Sequence, residues 1–246
     1  MTTLAAAACA VLLAGGPAEK VALSHRFAGA WRDGAITEIG TAHPPERPAR
    51  PVRPLLKPAR EMTRRRAGGS MANRIALLHA LAHIELNAID LAWDLIARFA
   101  ACDLPRAFFD EWVGVADEEA SHHALIGARL GELGAAYGDL PAHDGLWEAA
   151  QATEHDLLAR LAIVPLVLEA RGLDVTPGMI ARLRDVGDAA SAAILEVILR
   201  EEVAHVAAGS RWFAWCCARE GRDPDATFAE LVAAHARGAL KGPFNR

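Results

Sequence analysis

Two motifs in the sequence place a histidine three residues after a glutamate: Glu119 with His122, and Glu202 with His205. Residues three apart in a helix lie on the same face, so each motif presents a carboxylate beside an imidazole. Hydrophobic residues flank both motifs at helical spacing, which predicts that these polar groups point into a core. Carboxylate oxygens combined with imidazole nitrogens suit iron or manganese ions.

Two further glutamates, Glu85 and Glu169, each stand alone within an apolar helical stripe. An unpaired buried carboxylate is costly, which favours a cation close to each of them. Glu85 and Glu119 are 34 residues apart. Glu169 and Glu202 repeat this spacing with 33 residues. The repeat indicates two helical hairpins of one design that together bind two metal ions, with a metal-free buried polar network as the alternative. The predicted ligands are Glu85, Glu119, His122, Glu169, Glu202 and His205.

Three side chains next to these ligands leave two interpretations open. Glu118 and Glu201 each precede a ligand glutamate. Metal-bound histidines usually donate their second ring N–H to a carboxylate or carbonyl, which predicts crossed pairs. Glu118 would accept from His205. Glu201 would accept from His122. Otherwise both acids are solvated charges on helix surfaces. His123 is either a further neighbour of the site or a hydrogen-bonded core histidine.

A polar stripe lies on the side of the first long helix opposite Glu85. The stripe consists of His79, His83, Asn87, Asp90 and Asp94. These residue types are those of a second metal site or of hydrogen-bonded packing beneath a neighbouring segment. We expect packing, because a basic segment precedes the helix and offers partners for the acids.

Long helices must position all of these residues, and helical periodicity holds from about residue 73 with few interruptions. Thr153 and Asp156 suit a capping box for the third helix, and Asp188 suits a cap for the fourth. The crossover between the hairpins is predicted at 134–145. The predicted helices cover about 73–101, 105–133, 153–171, a fourth helix ending near 219, and a terminal helix at 225–238. This layout predicts an all-α, ferritin-like four-helix bundle with a C-terminal helix.

The chain is predicted to have two regions. Residues 71–246 form the di-metal bundle, and residues 1–70 form an N-terminal extension. The extension begins with short helices over 4–14 and 18–32. A strap follows over 42–59, where repeated prolines forbid a continuous helix.

Arginines make the strap and the residues after it basic, including Arg64, Arg65 and Arg66. One interpretation is an arm that lies on the bundle with its arginines against acidic helix faces. The other is an arm that binds a partner or a polyanion. We expect the first.

The residues after Glu169, the predicted ligand of the third helix, are typical of the end of one helix and the start of another. Gly172 suits a C-cap, Thr176 an N-cap and Pro177 the first helical position. A break there would loosen the bundle wall beside the site. This predicts that residues 172–177 form the rim of an entrance for O₂ or substrate, with Arg171 meeting an anionic group. The alternative is a plain connector with Arg171 in a surface salt bridge.

The overall composition narrows the class of function. The chain has 246 residues, of which 52% are hydrophobic, and a formal net charge of −5. The charge shows no basic excess of the kind that would indicate nucleic-acid binding. No apolar stretch is predicted to span a membrane. The four cysteines lack metal-site or disulfide spacing, which indicates a cytoplasmic protein. The apolar run at 4–14 is predicted to be a packed helix, with a signal peptide as the alternative.

Five segments resemble an uncharacterised bacterial ferritin-like family that is catalogued as a domain of unknown function. They are residues 78–90, 116–122, 137–143, 169–177 and 201–206. The resemblance implies the ferritin-like fold and a di-iron-type site at the six ligands named above, with none missing. It implies no substrate, since the family has no settled activity. The layout is more distantly similar to the di-iron hydroxylase that modifies tRNA, an analogy of fold alone.

The predicted cofactor is two iron ions, or manganese, or a mixed Mn/Fe pair. We expect an O₂-dependent oxidoreductase, most simply a hydroxylase, that uses O₂, an unknown small-molecule substrate and an electron donor. An iron-handling ferroxidase and a non-catalytic protein stabilised by metal are the alternatives. A radical-generating role is disfavoured, because the one tyrosine, Tyr137, is predicted in the crossover rather than beside a ligand.

Overall fold

The computed structural model describes residues 2–62 and 69–236. Within these ranges the regular structure is helical, apart from an isolated bridge between Leu56 and Ala142. The prediction of an all-α protein is confirmed, in keeping with the high helix propensity of the abundant alanine and leucine. Contacts divide the chain into two compact units, residues 1–147 and residues 148–246.

A helical hairpin forms the core of the first unit. Its helices are α3 (Met71–Arg98) and α4 (Arg106–Glu132). Ser70 caps α3 by accepting a hydrogen bond from the amide of Asn73. The two predicted helices and the turn between them are confirmed to within a few residues, because the apolar stripes of both helices are buried as their periodicity required.

Two short helices precede this hairpin, as predicted. Helix α1 (Leu4–Leu13) packs on α3, and helix α2 (Pro17–Arg32) packs on α4. The Ser24 hydroxyl joins α2 to both helices of the hairpin. It donates to the carbonyl oxygen of Ala116 and accepts from the indole N–H of Trp93, each at 2.8 Å. The N-terminal helices are therefore part of the same unit as the hairpin.

The proline-rich strap is extended, as predicted. Residues 42–58 contain no helix, and a short 3₁₀ turn follows at Ala59–Glu61. The Arg50 guanidinium lies 2.7 Å from Asn87 Oδ1 and 3.1 Å from Asp90 Oδ2 on α3. Arg50 thus meets a polar and an acidic group of α3, which agrees with the interpretation of the strap as an arm that lies on the helices. Arg64, Arg65 and Arg66 lie outside the described residues.

Helix α5 (Gly145–Ala152) crosses the boundary between the units along the chain, and α6 (Leu157–Ile163) follows it. The predicted capping box at Thr153 is wrong. The Thr153 hydroxyl instead donates to the carbonyl oxygen of Ala149 at 3.0 Å, a backward bond typical of threonine at the end of a helix. Asp156 alone caps α6, where it accepts from a first-turn amide at 3.1 Å.

A short π-helix (Val164–Glu169) follows α6, and α7 (Ala170–Asp185) continues it directly. The predicted helix break at 172–177 is therefore wrong. Ile180 and Leu183, in the later turns of α7, are buried against the rest of this unit. That packing outweighs the local glycine and proline signals, as tertiary contacts often outweigh intrinsic propensity.

The entrance predicted at Arg171 depended on that break and loses its basis in a continuous helix. The Arg171 side chain is 39% exposed, and its Nη1 atom lies 4.0 Å from Asp174 Oδ2 one turn later. The salt bridge of the alternative interpretation is therefore present, with an Asp174 side chain that is only 5% exposed, but its connector is replaced by continuous helix.

Helix α8 (Ala189–Glu220) packs on α7 and on the π-helix. Asp188 caps it, as predicted, by accepting from the amide of Ser191 at 3.1 Å. Gly221 ends α8 with a φ of +66°, a conformation that favours glycine. The terminal helix α9 (Pro224–His235) packs on α6 and confirms the predicted C-terminal helix, although residues 237 and 238 of the predicted range lie outside the described residues.

Within the described ranges, α3 is long and apolar enough to cross a membrane by length and composition. However, 72% of its most apolar window is buried inside the protein. Such burial is the pattern of a core helix.

Candidate metal centre

Helices α3 and α4 bring three of the predicted ligands together in the first unit. The His122 Nδ1 atom lies 3.4 Å from Glu119 Oε2 and 3.5 Å from Glu85 Oε2. All three side chains are buried, and each offers a ligand atom within 4.8 Å of the others. The antiparallel hairpin therefore brings Glu85 and Glu119 to the same height, as their equal distance from the turn predicted.

The electrostatics of this cluster favour a positive charge. Burial lowers the pKa of His122, but the neighbouring Glu119 and Glu85 carboxylates outweigh burial and raise that pKa to about 11. A proton on His122 thus offsets part of their negative charge. A divalent metal ion that replaces this proton would meet the same need, with the neutral imidazole as a ligand. In donor type and burial, the cluster fits iron or manganese.

The second unit carries the other Glu-x-x-His motif on α8. The His205 Nδ1 atom lies 3.7 Å from Glu202 Oε1, and the His205 side chain is buried. Both motif histidines therefore turn the same ring nitrogen, Nδ1, towards the glutamate one turn earlier. Glu169 is the last residue of the π-helix, which packs on α8 within this unit.

The π-helix that positions Glu169 has a cause in the sequence. Pro165 has no amide proton, so the regular hydrogen bond to the preceding turn is missing there. Gly209 of α8 permits a close approach, because a Cβ atom at that position would lie 2.5 Å from the Pro165 Cβ. Single π turns occur frequently at functional sites, and Glu169, whose role as a ligand stays a prediction, is the last residue of this one.

Gly209→Ala is expected to destabilise the second unit, because the new methyl group would collide with Pro165. Overpacking of this kind costs roughly 1–3 kcal/mol. The measurement is the free energy of unfolding in urea. Gly178→Ala on α7 is the matched control, since an added Cβ there meets nothing within 4 Å. We expect that variant to be neutral or slightly stabilised. Equal stability of the Gly209 variant and the wild type would contradict the close packing.

His123 is a hydrogen-bonded core histidine, one of the two interpretations that the sequence left open. The ring is buried, and its Nδ1 atom lies 2.9 Å from the carbonyl oxygen of Ala82 on α3. A carbonyl oxygen only accepts, so Nδ1 carries the proton and donates it. Burial also lowers the pKa of His123, which keeps the ring neutral.

The two acids beside the ligand glutamates differ in exposure. Glu118 is exposed on α4, whereas Glu201 is half-buried on α8 with the Arg200 Nη2 atom 3.5 Å from its Oε1. The crossed pairs, Glu118 with His205 and Glu201 with His122, stay a prediction.

Glu118→Gln and Glu201→Gln are each expected to weaken metal affinity by about 10- to 100-fold, the usual effect of removing a carboxylate that orients a ligand histidine. The measurement is a competition titration against a chelator, with circular dichroism to show that the helices remain. Glu132→Gln on α4 and Glu220→Gln on α8 are matched surface controls, with side chains 64% and 55% exposed. Affinities equal to those of the controls would contradict the orienting role.

The polar stripe on α3 is hydrogen-bonded packing, as expected. Asp90 Oδ1 lies 2.7 Å from Lys20 Nζ, and Asp94 Oδ1 lies 2.7 Å from Arg98 Nη2. The His79 Nε2 atom accepts from two backbone amides of the crossover. These partners are side chains and backbone amides of the first unit.

Tyr137 has surroundings that its place in the sequence did not indicate. It lies in the crossover, as predicted, but its ring packs among His79, His83 and His123. Burial lowers the pKa of His83 to about 4 and raises that of Tyr137 to about 12, so both groups are neutral near pH 7. The spacing of His79 and His83, one turn apart on α3, was the signal available in the sequence.

Fold and site together define an all-helical protein with a candidate metal centre made of glutamate and histidine. The chain belongs to the family described as "Protein of unknown function (DUF455)", whose model matches residues 13–246. It is similar to a Haemophilus influenzae protein described as "Uncharacterized protein", with 42% identity over 200 residues that cover 79% of this chain and 69% of that protein. No solved structure matches the chain.

Proposed function

We propose that this protein is a ferritin-like di-metal carboxylate protein that uses O₂ to oxidise a small organic molecule. The observation that supports it most is the buried cluster of Glu85, Glu119 and His122, with His122 Nδ1 within 3.5 Å of both carboxylates. This combination of donors at the centre of a helical hairpin is typical of half of a di-iron or di-manganese carboxylate site.

The six-ligand centre is part of this proposal. The sequence contains two isolated glutamates and two Glu-x-x-His motifs, and the spacings of 34 and 33 residues support a duplicated design. Four carboxylates balance the charge of two divalent ions, and each histidine would hold one metal. Iron, manganese or a mixed pair fits this donor set equally well.

When bound, the metal ions supply Lewis-acid chemistry and the electrons that reduce O₂. The protein's own residues hold charge and exclude water. Ala116 and Ile126 lie on the same face of α4 as Glu119 and are fully buried. Exclusion of water strengthens every electrostatic interaction of the ligands and protects a reactive oxygen species from side reactions.

The test begins with the metal content of protein purified from iron-replete and manganese-replete cultures. The reduced protein is then mixed with O₂ under single-turnover conditions, with absorbance and O₂ consumption recorded. Consumption of O₂ by a fixed pair of metal ions supports the proposal. Uptake of many irons per chain would instead indicate the iron-handling alternative. Full folding without any transition metal would rule out the metal centre.

A further inference from the structure

The strap divides into a packed part and an exposed part at residue 52. The helices hold the first part, with Arg50 on α3 and the amide of Ala49 donating to a carbonyl oxygen of α1 at 2.8 Å. From residue 52 to residue 60, every residue except Pro54 is exposed. The packing that we expected of the strap therefore accounts for its first part alone.

The exposed strap segment, residues 52–60, combines large aliphatic side chains with cations. Val52 is 92% exposed, Leu55 58% and Leu56 45%. They are three of the nine large hydrophobic side chains that are exposed among the described residues, although they lie close together in the sequence. The cations are Arg53, Lys57 and Arg60. Single exposed apolar residues are ordinary, but a cluster of them bordered by charge marks an interaction site.

Backbone contacts with the crossover hold this segment in place. The carbonyl oxygen of Leu55 accepts from the amide of Ala142 at 3.1 Å, and the amide of Lys57 donates to the carbonyl oxygen of Ala142 at 2.8 Å. Gly138, with a φ of +106°, allows the strap to lie close, because an added Cβ atom there would lie 3.3 Å from the Arg53 Cβ. The exposed side chains thus project from an ordered backbone, which reduces the entropy that binding would cost.

The charge of the exposed strap segment favours an anionic partner. The acid that follows it, Glu61, has its Oε1 atom 3.9 Å from the Nε atom of Arg60. Solvent screens this pair, because the two side chains are 54% and 85% exposed. The whole chain carries a net charge of −5, so the segment is a local basic patch on an acidic protein. Such a patch attracts anions over a short range.

A lipid surface accounts for the aliphatic and the cationic side chains together. Nucleic acid would pair with the cations, but single strands stack on aromatic rings, and the segment has none. Protein interfaces depend on anchors such as tryptophan, tyrosine and arginine that fill pockets, whereas leucine and valine are under-represented among them. A side chain as exposed as Val52 protrudes, and a fluid bilayer receives a protruding apolar group without a complementary pocket.

We propose that residues 52–60 are a membrane-contact site through which the protein binds reversibly to an anionic phospholipid surface. The aliphatic side chains enter the boundary between headgroups and acyl chains, and the cations pair with lipid phosphates. A contact of this kind needs no helix that spans the bilayer. It uses no residue of the candidate metal centre, so it stands or falls independently of the proposed function.

The test is sedimentation of the full chain with vesicles of phosphatidylglycerol and phosphatidylcholine in equal parts, compared with vesicles of phosphatidylcholine alone. The wild type should bind the anionic vesicles, and added salt should release it. The variant Arg53→Gln/Lys57→Gln/Arg60→Gln should bind on the order of 100-fold more weakly, since each cation near an anionic membrane contributes roughly fivefold in affinity.

The matched control for charge is Arg32→Gln/Arg184→Gln/Arg200→Gln, which removes the same charge from side chains that are 56%, 63% and 69% exposed. It should bind as tightly as the wild type. Circular dichroism of each variant shows that the helices remain.

The aliphatic side chains are tested separately. Val52→Ser/Leu55→Ser should weaken binding by about tenfold or more, because the apolar surface that enters the bilayer is lost. Its matched control, Leu125→Ser/Val186→Ser, changes a leucine and a valine that are 40% and 43% exposed elsewhere. This control should bind like the wild type.

Three results would overturn the proposal. If the wild type does not bind anionic vesicles, the segment has no affinity for lipid, and an acidic protein surface becomes the partner that fits it. If the strap variants and their controls bind equally, the contact lies elsewhere on the protein. If the aliphatic variant binds vesicles and a polyuridine strand as tightly as the wild type does, the segment attracts polyanions in general.

Discussion

Replacing Glu119 by Ala should abolish metal binding in the first unit and lower the stability of the protein. Glu119 is fully buried, and its Oε2 atom lies 3.4 Å from His122 Nδ1. A metal ion would therefore lose a ligand in a water-poor environment. His122→Ala should have the same effect, since it removes the one imidazole of this cluster.

The loss of stability follows from linkage between binding and folding. A metal that binds the folded state alone adds about 4 kcal/mol when its concentration is a thousand times the dissociation constant. The wild type should therefore melt at a higher temperature with Fe²⁺ or Mn²⁺ than with a chelator. In the Glu119 and His122 variants the two melting temperatures should coincide.

The measurement combines elemental analysis of the purified protein with thermal unfolding in the presence and absence of metal. Glu132→Ala is the matched control, because Glu132 lies on the same helix, is 64% exposed and pairs with Arg129. Metal content and melting shift of that variant should equal those of the wild type. Wild-type metal content in the Glu119 variant would show that the cluster is not a metal site.

The hairpin of the first unit could be predicted because two independent patterns agree there. The apolar stripes of α3 and α4 determine which faces are buried, and the turn lies midway between Glu85 and Glu119. Equal heights and shared faces are enough to bring two side chains together in an antiparallel pair. Asp188 at the start of α8 was predictable for a similar reason, since its capping bond is local.

The sequence predictions were wrong where the local preferences of single residues compete with packing between helices. Gly172, Thr176 and Pro177 favour a helix boundary, yet α7 passes through all three because its later turns are buried. The actual irregularity lies earlier, at Pro165, where the close contact with Gly209 is a property of two helices. The surroundings of Tyr137 were unpredictable for the same reason, because the path of a crossover over a helix is not encoded in helical periodicity.

A second large loss of stability is expected on replacing Lys20, a buried lysine that joins three elements of the first unit. Its Nζ atom lies 2.7 Å from Asp90 Oδ1 on α3, and both side chains are 0% exposed. It also donates to the carbonyl oxygens of Val11 at 3.0 Å and Leu12 at 3.2 Å. Those carbonyls belong to the last turn of α1, where Val11 also accepts from the amide of Ala14 and Leu12 from the amide of Ala49.

Lys20→Met should destabilise the first unit by about 3–5 kcal/mol, the usual cost of removing one partner from a buried ion pair. Methionine fills a similar volume, so the effect reports charge and hydrogen bonding rather than a cavity. Burial already raises the pKa of Asp90 and lowers that of Lys20, which shows how strongly the site disfavours an isolated charge. Arg50 alone would then face Asp90, at 3.1 Å.

The matched control lies on the same helix. Arg32→Met removes an ion pair with Asp117 that is equally short, 2.6 Å, but whose arginine is 56% exposed. An exposed pair contributes about 0–1 kcal/mol, so this variant should unfold at nearly the wild-type urea concentration. The double variant Lys20→Met/Asp90→Leu should recover part of the loss, because neither charge is then left buried. If Lys20→Met and Arg32→Met proved equally mild, burial would not be what makes the Lys20 pair strong, and the anchoring of α1 and α2 would have to come from apolar packing.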